Sequence, residues 1–267
     1  MKMYEIAVHS IKQLKEMLET NREKIDKLVE RMRNDNSDVC RELVDSGLLT
    51  PFQMCHAALR YELGKSREGK TVFWMIDEQY RVRDGMVGDT WASVLLKERG
   101  ILDKEWCPLH CLFGLHLLVE GGGRRVEGDY SQPYKCTHAD DSICTNPATQ
   151  NISHSSLLTP PSSKEIAIVE SVRSCVVLSE RLPKYLWMAT GYLANLNERL
   201  FLPLKGHHVV CFPTTDPTGD TYLLWLSVAA EARKYGIDIT VSRILEDRAT
   251  PSQKAAKIDL VDFLFPP

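Results

Sequence analysis

An α/β fold, in which helices flank a parallel sheet behind a helical and β-hairpin N-terminal region, is predicted by three features of the sequence. Strand-like runs at Ile166 to Val169, Tyr185 to Ala189, His208 to Phe212 and Ile237 to Ile244 alternate with helical stretches. Near the N-terminus, Thr71 to Asp77 is rich in β-branched and aromatic residues and is followed by Arg81-Val82-Arg83, which reads as a hairpin. Between these regions, residues 120–163 open on Gly121-Gly122-Gly123 and are loaded with Ser, Thr, Asn, Asp and Pro.

The elements follow in chain order. From Ile11, the residues Leu14, Leu18, Ile25, Leu28 and Met32 recur at helical spacing with Asn21 at the polar seam position. A helix laid against the rest of the fold and a self-pairing coiled coil account for this stripe equally. Ser37 can cap a second helix, and Thr50-Pro51 has the residues that favour the start of a third. Asp84-Gly85 is taken to close the hairpin, with a short helix over residues 90–99 beyond it. The run Leu112 to Leu118 reads as helix, although it is short for either class. Helices over Val172 to Arg181, Thr221 to Tyr235 and Pro251 to Leu264 complete the second half. The expected division is an amphipathic helix over 1–35, an α+β region over 36–119, a flexible linker over 120–163 and an α/β domain over 164–267.

Bulk properties narrow the function classes. A chain of 267 residues with 43% hydrophobic content can bury an ordinary core, and a formal net charge of −3 means that contact with nucleic acid needs a local patch. No apolar run approaches the ~20 residues of a membrane span, so no membrane partner is expected. The eight cysteines are scattered, mostly within apolar runs, which suits reduced thiols in a cytoplasmic protein.

In a parallel sheet, ligands gather at the carboxyl ends of the strands. That rule selects Glu170, Gly191 and the segment Thr214-Thr215-Asp216-Pro217-Thr218-Gly219-Asp220. Carboxylates collected there would suit Mg²⁺, a hard cation with oxygen ligands, and hence chemistry on phosphates. Glu170, Asp216 and Asp220 are also good helix-cap residues. Lys205 and Arg173 could hold a phosphate backbone if they converge on this edge. Cys107, His110 and Cys111, or Cys136, His138 and Cys144, lack the paired spacing of zinc modules, so zinc is not expected.

A glutamate closing the first strand and a D-x-D-x-x-G after a later one form the signature of the Toprim fold of bacterial primases and topoisomerases, which Glu170 and Thr214-Thr215-Asp216-Pro217-Thr218-Gly219 resemble. More closely, Cys111 to Leu118, Ile168-Val169-Glu170, Leu186 to Gly191, and Phe212-Pro213 with Asp216-Pro217 and Gly219 resemble Bacteroides toprim proteins of unknown function, which are similar to mobile-element primases. The likeness starts near Leu48 and includes Val72 to Asp77. It implies Glu170 and Asp216 as catalytic residues, Glu170 as general acid or base, with Glu170, Asp216 and, in reserve, Asp220 as Mg²⁺ ligands, and nucleic acid, single-stranded DNA included, as partner beside a replication protein.

The departures from that family fall beside the presumed site. Thr214 stands where the pattern wants a carboxylate, and a neutral hydroxyl is a weaker Mg²⁺ ligand. The Lys-Thr pair that follows the glutamate in relatives is Ser171-Val172-Arg173-Ser174 here. A glycine pair is replaced by Gly191-Tyr192, whose ring either crowds a turn or offers a stacking surface. The expected function is therefore a primase-related nucleic-acid-associated protein with a degenerate acidic cluster and weak or absent catalysis. The alternatives are an active Mg²⁺-dependent primase or nuclease and a non-enzymatic assembly protein that self-associates through its first helix.

Overall fold

A computed structural model of the chain describes residues 19–21, 23–106, 108–119 and 165–266. The first part of the apolar stripe, Ile11 to Leu18, and residues 120–163 lie outside them. Helix α1 (residues 23–32) places Ile25 and Val29 against Val72, Trp74 and Ile76. Asn21 is buried, and its Nδ2 donates to Asp103 Oδ2 at 2.9 Å, so the seam position is satisfied within the chain.

Helices α2 (Asp38–Asp45) and α3 (Pro51–Arg60) follow. Ser37 stands at the α2 cap, but its hydroxyl bonds Thr71 Oγ1 at 2.6 Å instead of the helix backbone. Asp38 makes a second tie to Thr71, accepting from its N–H at 2.8 Å and its hydroxyl at 2.9 Å. At α3, Thr50 and Gln53 form the reciprocal capping box and Pro51 opens the helix.

Strands β1 (Gly64–Lys65), β2 (Thr71–Ile76), β3 (Val82–Val87) and β4 (Thr90–Trp91) form an antiparallel sheet in that order, with α4 (Ala92–Glu98) after it. The hairpin is present with its turn between Asp77 and Arg81, as expected, but Asp84-Gly85 does not end it, since β3 runs through both residues to Val87. Gly85 is required for packing instead: a Cβ there would fall 2.7 Å from the Trp74 ring. The run Leu112 to Leu118 also divides. Phe113 pairs with Ala189 through two backbone bonds of 2.8 and 3.1 Å, Gly114 turns at φ +83°, and a 3₁₀ turn occupies Leu115–Leu118. A side chain at Gly114 would meet the Tyr61 ring at 2.9 Å and Trp187 O at 3.1 Å, so the chain cannot continue as one helix there.

Beyond the undescribed segment, β5 (Ile166–Val169), β6 (Leu186–Ala189), β7 (His208–Cys211) and β8 (Asp238–Val241) form a four-stranded parallel sheet in the order β6-β5-β7-β8. Helix α5 (Val172–Arg181) covers one face, while α6 (Asp220–Lys234) and a 3₁₀ helix at Glu198–Leu204 cover the other. This is the predicted helix-flanked parallel sheet behind a hairpin region. The last strand is shorter than expected because α7 (Ile244–Arg248) begins within the run. The final predicted helix is two, α8 (Pro251–Ala255) and α9 (Leu260–Leu264), separated where Lys257 adopts φ +54° and Asp259 caps a new start.

The antiparallel region and the parallel sheet share a core. Tyr61, Phe73, Met75 and Phe113 pack with Cys175, Trp187 and Ala189 in one buried cluster. Tyr61, fully buried, stacks on Phe113 with ring centroids 4.9 Å apart and donates its hydroxyl to Trp187 O at 2.9 Å. Tyr61→Phe should lower stability by about 1–2 kcal/mol through the unsatisfied carbonyl, read as a lower urea midpoint at unchanged slope. An unaltered midpoint would show that this bond does not join the two regions.

Candidate functional site at the carboxyl edge of the parallel sheet

Glu170 follows β5 directly, and Thr214 and Asp216 follow β7, so the sheet brings these sequence-selected residues to one edge. The Thr214 side chain and the Leu193 backbone lie beside the Glu170 carboxyl and favour its charged form. Burial raises its pKa and the nearby Asp259 carboxylate adds to the rise, and those two neighbours only partly offset them. The net shift is above the ordinary 4.5. Glu170 thus sits in a place that disfavours its charge.

Asp216 has the opposite environment. It is 6% exposed, and its Oδ1 accepts from the N–H groups of Thr218 at 2.9 Å and Gly219 at 2.8 Å and from the Thr218 hydroxyl at 2.7 Å. Its Oδ2 accepts from the Thr221 N–H at 2.8 Å. Burial pushes the pKa up, but the Thr218 and Thr221 donors outweigh it and hold the carboxyl far below the usual range. These are the otherwise unpaired amides of the α6 N-terminus, so Asp216 acts as a helix cap. Asp220 is exposed at the first position of α6. The Thr218 hydroxyl lies 2.7 Å from both Asp220 and Asp216, and its single proton can serve only one of them at a time.

For Mg²⁺ to bind here it would have to displace these donors. The arrangement around Asp216 fits a cap better than a hydrated hard cation, which needs carboxylate lone pairs directed at open space. Among the described residues, no three His, Cys, Asp or Glu side chains gather closely enough to hold a metal ion.

The remaining candidates divide. Gly191 turns at φ +85° beneath the antiparallel sheet, where a Cβ would come within 2.7 Å of Met86 Sδ. Tyr192 beside it is half-buried, donates its hydroxyl to Gly88 O at 3.3 Å and sets its ring edge-on to Trp91 at 5.6 Å. Arg173 is at the carboxyl edge but reaches across to Glu42, 2.8 Å away on α2. Lys205 does not join it: it lies before β7 and beside Gly236, at the amino ends of the strands. The two cations therefore do not converge.

Two residues of this edge were given no site role by the sequence reading. Asp259, within the stretch read as one helix over Pro251 to Leu264, caps α9 and accepts a hydrogen bond from the Ser174 hydroxyl. The spacing of Asp259 and Asp262 around Leu260-Val261, a capping-box pattern, was the available signal. Thr190 follows Ala189, which pairs with Val169, so its register places it beside Glu170. Its hydroxyl is buried without a partner among the described residues.

The two carboxylates should titrate stability in opposite senses. Glu170 has a raised folded value, so its contribution is complete below 4.5 and is lost as pH rises above 4.5 and through the folded value. Glu170→Gln, which keeps an acceptor without charge, should be more stable than wild type near neutral pH and equal to it in acid. Asp216 has a depressed value, so its contribution is complete above 3.8 and falls away in stronger acid. Asp216→Asn should accordingly be destabilised at neutral pH, with the gap narrowing below that value. Urea midpoints across the acid range test both, and parallel curves for the variants and wild type would refute the assignment.

Residues 143–215 match the model of a family described as Domain of unknown function (DUF6371), a span that takes in β5, α5, β6 and β7. No curated protein and no solved structure matches the chain.

Proposed function

We propose that this chain is a Toprim-like, primase-related protein that associates with single-stranded nucleic acid, and that its acidic edge is structural with weak or absent catalysis. The observation that carries this reading is at Asp216, whose carboxylate is taken up by the backbone amides that open α6 and by the Thr218 hydroxyl, while Thr214 stands beside Glu170 in place of a second carboxylate. A catalytic two-carboxylate site needs open coordination positions. The nucleic-acid part is supported by the resemblance carried by Ile168 to Glu170 and Leu186 to Gly191, and by the half-exposed Tyr192 and Trp91 beside that edge. A mobile-element replication protein is the partner class that the resemblance favours, and the cytoplasm is the compartment.

A second reading, an active Mg²⁺-dependent phosphoryl transferase, draws on the raised pKa of Glu170, which suits a general acid. Two titrations separate the readings. A fluorescent oligothymidylate should bind saturably in the presence of chelator, weaken with salt, and lose about 1–3 kcal/mol in Tyr192→Ala if the ring stacks on a base. Thr214→Asp should raise Mg²⁺ affinity by restoring a ligand at the degenerate position. Oligonucleotide binding that requires Mg²⁺, or template-dependent synthesis by the wild type, would favour the second reading.

A further inference from the structure

A second site lies outside the acidic edge. Between the β2–β3 turn and the 3₁₀ helix at Glu198–Leu204 is an open cleft that Arg83, His110 and Arg199 line together with Glu78, Leu200 and Pro203. Its charged lining is Arg83 and Arg199 with Asp77 and Glu78. Asp77 is buried and already engaged: its Oδ2 accepts from Arg83 Nε at 2.6 Å and from Arg81 Nε, outside the lining, at 2.8 Å. These bonds use the inner nitrogen of each arginine and leave the terminal nitrogens out of the pair, where they could fork to an anion. Arg199, exposed on the 3₁₀ helix, is the second guanidinium of the lining.

The histidine is fixed as firmly as the first arginine. His110 stacks on Trp91 at 3.8 Å with a 17° interplanar angle, and its Nε2 is 3.1 Å from Asp84 Oδ2. Asp84 is itself buried and accepts from the Ser93 hydroxyl at 2.6 Å and the Ser93 N–H at 2.9 Å. A carboxylate with those partners is an acceptor, so His110 donates through Nε2 and keeps Nδ1 as its remaining polar atom. Leu200 and Pro203 supply an apolar wall opposite, and Glu78 an acceptor for hydroxyl groups.

We infer that this cleft binds a phosphate group, held by Arg83 and Arg199 with His110 beside it, and that the apolar wall takes the adjoining organic part of the ligand. The inference does not rest on the acidic edge. The phosphate is either that of a small phosphomonoester or one in a nucleic-acid backbone, and the test distinguishes them. Calorimetry on the full chain would use inorganic phosphate, adenosine monophosphate and an oligothymidylate without terminal phosphates.

Binding of phosphate or the mononucleotide, weakened at least about tenfold by both Arg199→Ala and Arg83→Gln, supports a phosphomonoester site. Binding of the oligonucleotide alone with the same losses supports a backbone site. Arg199 is exposed, so its replacement leaves the fold intact even if Arg83→Gln disturbs Asp77. The inference is overturned if no probe binds, or if Arg199→Ala binds every probe as wild type does. Glu170→Gln should leave binding in the cleft unchanged. Failure of the acidic-edge reading would alter Mg²⁺ response and not this result.

Discussion

The pairing of Phe113 with Ala189 is the constraint on which the rest of the structure depends. It attaches the antiparallel region to the exposed edge of β6 through two backbone hydrogen bonds, and it seats the Phe113 ring between Tyr61 and Phe73. From there the packing spreads: Tyr61 reaches Trp187, Met75 and Met86 close over Gly191, and Trp91 meets Tyr192. An edge strand left open would present unpaired amides and carbonyls, so this contact also blunts one side of the parallel sheet. The geometry of the Gly191-Tyr192 turn is therefore inherited from residues more than seventy positions earlier in the chain.

Both faces of functional interest border that seam. On one side the carboxyl edge holds Glu170 and Asp216 in contrasting environments, the pKa of one raised and that of the other lowered. The difference comes from burial and the Asp259 carboxylate at Glu170, against the backbone and hydroxyl donors gathered on Asp216. On the other side the cleft brings Arg83 and Arg199 together, with Asp77 taken up by Arg81 and Arg83. The half-buried Trp91 touches both, through Tyr192 toward the acidic edge and through His110 toward the cleft.

Much of the parallel sheet was legible because its signals are local. Val172 to Arg181 reads as a helix from its own residues, and Thr50-Pro51 states its capping box outright. The readings that failed depended on contacts made far along the chain. Gly85 looks like a turn residue after Asp84, yet it is there because Trp74 lies over it; Gly114 interrupts an apolar run because Tyr61 and Trp187 leave no room for a side chain. At the site, the sequence placed Glu170 and Asp216 on one edge, since strand ends and their order suffice for that. It did not reveal that the donors of α6 would surround Asp216, that Asp259 would come beside Glu170, or that Lys205 would face the opposite end.

The account treats the acidic edge as satisfied from within, and a calorimetric titration of wild type with Mg²⁺ and Mn²⁺, run beside Glu170→Ala, tests this most directly. The account predicts no saturable heat at millimolar metal in either protein. Saturable binding by wild type that vanishes in Glu170→Ala would contradict it and would make the edge a working metal site.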